Sequence, residues 1–108
     1  MKIYKFKFDL YKNEMVMYEV EVEEKPKTYA VMDNPVGIYE RHIFKDKIGI
    51  LDRSCDREMF LLEPDRHRFI QALLDDLDHE INELNSKIDG AYKRRDIYLD
   101  MIEKEVLE

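Results

Sequence analysis

The 108-residue chain predicts an α+β fold, with an N-terminal antiparallel sheet of four or five short strands followed by one long C-terminal helix. Three observations carry this reading. Residues 4 to 24, "YKFKFDLYKNEMVMYEVEVEE", alternate apolar and charged residues on both sides of a short polar break, the pattern of a hairpin. Turn-forming residues then separate several short apolar runs through residue 62. Beyond Pro64 the apolar period changes from two to steps of four and three, which is the spacing of a helix seam.

Hairpin register must place the apolar residues of both strands on one face of the sheet. A loop of Lys12, Asn13 and Glu14 does so, pairing Leu10 with Val16, Phe8 with Tyr18, Phe6 with Val20 and Tyr4 with Val22. Asn13 becomes the left-handed turn residue. The same register sets Lys7 opposite Glu19 and Lys5 opposite Glu21 on a polar face left to solvent or a partner. A two-residue loop breaks this phase, whereas a five-residue loop keeps it.

Pro26 ends the second strand, because proline cannot donate to a ladder. "TYAVM" (28–32) reads as a third strand, "DNPVG" (33–37) as a turn and "IYERHIF" (38–44) as a fourth strand. Gly49 marks a bend, "DRSCDRE" (52–58) a loop and "MFLL" (59–62) a short final strand. Asp65 follows Pro64 as a helix cap. Residues 1–63 form the sheet region and residues 64–108 a helical dimerisation region of the same folding unit.

The helix seam runs through Ile70, Leu74, Leu77, Ile81, Leu84 and Ile88, then Ala91, Arg95, Tyr98 and Ile102. With Leu74, Ile81 and Ile88 at a and Ile70, Leu77 and Leu84 at d, branched residues fall mainly at a and Leu at d. That distribution favours a parallel two-stranded coiled coil and hence a homodimer. Gly90, Ala91 and Arg95 weaken the seam, so the helix is expected to bend at Gly90, the alternative being a break into two helices. The apolar face of the first strand is expected to pack on Phe69, Ile70 and Leu73.

Charge is unevenly distributed along the chain. Residues 1–55 hold ten acids and ten Lys or Arg, and residues 56–108 hold the other 15 acids and eight bases, so the net charge of -7 falls in the second half. An acidic chain is a poor ligand for nucleic acid or an anionic membrane, which are held by Lys and Arg. It suits a basic protein partner. Neither a membrane span nor a signal peptide is legible, which makes the cytoplasm the expected location. Cys55, the single cysteine, excludes an internal disulfide.

Asp75, Asp76, Asp78, Glu80 and Glu83 form the densest acidic group and are the candidate partner-binding residues. Asp75, His79 and Glu83 share a helical face with metal-ligand spacing, but a solvated acidic face explains them and no metal is assigned. Cys55 has neither His42 nor His67 at a spacing that would activate it. No phosphate loop, nucleophile elbow or other cofactor motif is present, so no catalytic residue, enzyme activity or cofactor is expected. Two basic groups, Arg66 with Arg68 and Lys93 with Arg94 and Arg95, are candidate anion sites, although ion pairs with neighbouring acids such as Asp89 and Asp96 explain them better.

The combination of "VEVEEKPKTY", "IFKDKIGIL" and "EPDRHRFIQALLDDLDHEINEL" resembles short accessory proteins encoded in phages and prophages of low-GC Gram-positive bacteria. That class includes anti-CRISPR and other anti-defence proteins. The resemblance implies a non-enzymatic homodimeric inhibitor in the host cytoplasm that binds a basic host nuclease. Two alternatives from other classes are a coiled-coil scaffold module and a sponge for an anionic signalling nucleotide.

Overall fold

In the computed structural model, which describes residues 1–33 and 35–107, β1 (Lys2–Asp9) and β2 (Glu14–Glu24) form the expected antiparallel hairpin in a different register. Ile3 lies opposite Val20, Lys5 opposite Tyr18, Phe6 opposite Met17, Phe8 opposite Met15 and Asp9 opposite Glu14. The offset from the expected pairing is an odd number of residues, so it exchanges the faces of one strand relative to the other. Lys5 and Lys7 therefore share a face with Tyr18 and Val16, not with Glu21 and Glu19.

The turn explains how this register is held. Asp9 Oδ1 accepts the backbone N–H groups of Tyr11 at 2.9 Å and Lys12 at 3.0 Å, and the Asn13 N–H donates to the Asp9 carbonyl at 2.8 Å. Asn13 takes the expected left-handed conformation, with φ 55°. An aspartate that caps its own turn thus fixes a four-residue loop, residues 10–13.

The remaining strands are β3 (Thr28–Val31), β4 (His42–Phe44) and β5 (Arg57–Leu61), in the sheet order β4-β3-β2-β1-β5. All neighbours in this sheet are antiparallel. The expected fourth strand shortens to its last three residues, and Ile38 is buried from the preceding loop. Asn34, within the expected turn, lies outside the described residues. A short 3-10 turn, Lys45–Lys47, leads to a segment along β5, where the Gly49 N–H donates to the Phe60 carbonyl at 2.8 Å.

Both faces of this curled sheet are buried, in two clusters. Ile3, Val20 and Val22 pack with Tyr29, Ile38 and Ile43 on one face. On the other, Phe6, Met59 and Leu61 pack with Phe69, whose ring lies 5.3 Å from that of Phe6 between centroids. Phe69 belongs to α1 (Arg66–Leu107), and Ala72 and Leu73 join it, so the expected contact between the aromatic face of β1 and the first helical turns is present. Ile70, expected in that contact, is instead exposed. Asp65 caps α1, its Oδ1 accepting the Arg68 N–H at 3.1 Å.

The chain divides into two compact units, Met1–Leu73 and the residues from Leu74 onward. The division follows the first two turns of α1 because Phe69 and Leu73 are part of the sheet's core. α1 is continuous through Gly90. No helix among the described residues is long and apolar enough to cross a membrane.

Candidate functional site

The helical seam is the first candidate. Ile70, Leu74, Leu77, Ile81, Leu84 and Ile88 are each 41–51% exposed, as are Tyr98 and Ile102 to a greater degree. Apolar residues at this spacing form the kind of stripe that a helix buries against another apolar surface. The five acids lie around it. Asp75, Asp78 and Glu83 are exposed, and Asp76 and Glu80 are half-buried. Their i, i+3 and i+4 relations spread negative potential over several faces of the helix. His79 Nε2 lies 3.0 Å from Glu83 Oε1, an exposed i,i+4 pair. Among the described residues no group of three His, Cys, Asp or Glu side chains converges on a common point.

The candidate anion residues are not brought together. Arg66 and Arg68 belong to the first turn of α1, whereas Lys93, Arg94 and Arg95 lie seven turns further along the same helix, at about 3.6 residues per turn. Arg68 extends its guanidinium over Gly49, where φ is +77° and a Cβ would collide with it. Its packing role there is local. Cys55 is exposed in the loop before β5.

A second site, absent from the sequence reading, surrounds Lys5. Its side chain is 2% exposed, yet its ammonium reaches three acceptor groups. These are the Glu40 carboxylate, with Oε1 at 3.2 Å, the Glu58 carboxylate, with Oε2 at 3.5 Å, and the Gly37 carbonyl at 3.3 Å. The rings of Phe60 and Tyr39 flank the Nζ at 5.7 and 5.8 Å. The buried ammonium thus donates to the Glu40 carboxylate and the Gly37 carbonyl and forms an ion pair with Glu58, so its nitrogen is not left without partners.

Beside this lock is a cavity of about 450 Å³, lined by Glu40, Phe44, Ile50, Arg53, Glu58 and Phe60 among others. It occupies the gap between the edge strands β4 and β5. Its lining is mostly apolar and includes both signs of charge. Glu40 and Glu58 are engaged by Lys5. The ion set ties the Gly37–Glu40 loop to β1 and β5.

The sequence signal for Lys5 was slight. Ile3 stands in phase with Lys5 and Lys7, opposite to the phase of Tyr4, Phe6 and Phe8, and so marks a second buried face on the same strand. Elsewhere in this unit the charges are conventionally placed. Lys7 lies 3.5 Å from Asp56; burial pulls the lysine's pKa down, but Asp56, Glu58 and Tyr18 together outweigh it and raise the value. Comparison of the chain with family models, with curated proteins and with solved structures returned no match.

Proposed function

We propose that the protein is a non-enzymatic binding protein that self-associates through α1 and meets a basic protein partner with the acidic stretch from Asp75 to Glu83. One observation carries this reading: α1 continues as a single helix with a half-exposed apolar seam, and its acids are concentrated along the same stretch of the helix. Such a helix is organised for association, not for turnover. The resemblance to phage anti-defence proteins points to a host nuclease as the basic partner, whose nucleic-acid channel the carboxylates would occupy in place of phosphates.

The test is binding of the purified protein to a panel of purified bacterial nucleases with basic channels, followed at low and high salt. Tight binding to one of them, weakened by salt and abolished when Asp75, Asp76, Asp78, Glu80 and Glu83 are replaced together by Asn or Gln, is the expected outcome. Unchanged binding by that variant overturns the charge-based contact. Failure to bind any member overturns the nuclease as partner.

A further inference from the structure

We propose that the seam of α1 is covered by a second copy of this chain running antiparallel, with the acidic stretch of each helix set against the basic stretch of the other. The inference rests on the reading of the seam as a self-association surface and adds its direction, register and charge contacts.

The order of charges along α1 supplies the argument. Leu74–Leu84 contains five acids and no Lys or Arg, whereas Lys87–Arg95 contains four bases and one acid. In a parallel, in-register pair the flanking contacts are Glu80 with the partner's Asn85, Lys87 with the partner's Tyr92 and Arg94 with the partner's Leu99, none of them an attractive charge pair. Such a pair would also place Arg95, at a seam position, directly against the partner's Arg95. Branched residues at a and Leu at d favour parallel strands by packing. One arginine layer inside the seam, with no attractive charge pair on its flanks, opposes that preference.

Reversing one helix removes the conflict. With Leu84 against the partner's Ile88, the next layers pair Ile81 with the partner's Ala91, Leu77 with the partner's Arg95 and Leu74 with the partner's Tyr98. The small Ala91 side chain then lies opposite a large one. The heptad wheel puts Glu80 beside the partner's Arg94 on one flank of the seam. On the other flank Asp78 comes within reach of the partner's Arg95, whose aliphatic stem can cover Leu77 while its guanidinium reaches the rim. Two-fold symmetry repeats both contacts, giving four attractive pairs against one like-charge contact, Lys87 with the partner's Lys87.

Asp78 and Glu80 flank the seam, within reach of the second copy, whereas Asp75, Asp76 and Glu83 occupy outer heptad positions. Gly90 faces away from the seam, at an outer position, where its missing side chain costs no interface contact.

Three measurements separate the failure of the seam from the failure of its direction. Light scattering at micromolar concentration is expected to give a dimer, and a monomer overturns both readings. In a Cys55→Ser background, spin labels at Ser86→Cys and Asp100→Cys report direction, both sites being on the outer face of the helix. The antiparallel register places the two Ser86 labels at the same level and separates the Asp100 labels along the axis by about 28 residues, or about 42 Å at 1.5 Å per residue. Equal label distances at the two sites mean parallel strands and overturn the proposal while leaving a dimeric seam intact. Finally, Glu80→Arg is expected to weaken the dimer several-fold, and Glu80→Arg with Arg94→Glu to restore it. No restoration by the double exchange overturns the register.

Discussion

Replacing Lys5 with Met tests the least expected feature of the sheet, since it removes the charge while keeping the length and most of the volume of the side chain. Each carboxylate interacts with the ammonium at 3.2 to 3.5 Å. At an effective dielectric constant near 20, each contact is worth roughly 5 kcal/mol of gross Coulomb energy. Repulsion between Glu40 and Glu58 and the dehydration of all three groups offset most of that sum.

Truncating one member is costlier than the net worth of the set, because the other members remain in place. A fully buried remainder would cost about 3–5 kcal/mol. Glu40 and Glu58 keep 34% and 25% side-chain exposure and can recover part of their hydration. The expected loss for Lys5→Met is therefore about 2–4 kcal/mol. Exchanging the set as a whole, Lys5→Met with Glu40→Gln and Glu58→Gln, is expected to recover the stability to within about 1 kcal/mol of the parent. Urea unfolding followed by the near-ultraviolet signal of the tyrosines, four of which lie in β1–β3 and the Gly37–Glu40 loop, reports on this unit without the dominant signal of α1. A single variant within about 0.5 kcal/mol of the parent, or a triple variant no better than the single one, refutes the reasoning.

Two glycines are expected to respond to alanine in opposite directions. At Gly37, φ is +84° and a Cβ would enter the Tyr18 ring, so Gly37→Ala is expected to cost at least about 1–2 kcal/mol in urea unfolding. At Gly90 the nearest atom to a Cβ is Arg94 Nη1 at 3.7 Å, so Gly90→Ala is expected to raise the helical signal and stability by about 0.5–1 kcal/mol. Acid should loosen the turns of the sheet unit. The Lys12 N–H, and then that of Tyr11, hold Asp9 below the ordinary carboxylate range against the opposing effect of burial. Asp52 is lowered first by the Ser54 N–H and next by its hydroxyl. Both groups bind protons more readily unfolded, so their stabilisation is present above about pH 4 and lost as pH falls through their lower folded values. Urea midpoints between about pH 2 and 5 check this; Asp9→Asn and Asp52→Asn should flatten the profile.

By itself, the sequence determined the elements whose causes are local. The helix cap at Asp65, the left-handed Asn13, the third strand at Thr28–Val31 and the long 3.5-period helix all follow from neighbouring residues and match the structure closely. The acidic stretch and the apolar seam were legible for the same reason, since a helix converts spacing into faces without reference to the rest of the chain.

Hairpin register could not be settled that way. Alternation fixes a strand's two faces only if one of them is polar, and β1 buries both: Phe6 beneath Phe69, and Ile3 with Lys5 beneath the loop at Gly37–Glu40. Only the tertiary structure supplies the acceptors that make a buried lysine tolerable, because Glu40 and Glu58 lie 35 and 53 residues away along the chain. A solvated charge and a paired charge look the same in a sequence. They differ by what the fold brings within about 3.5 Å.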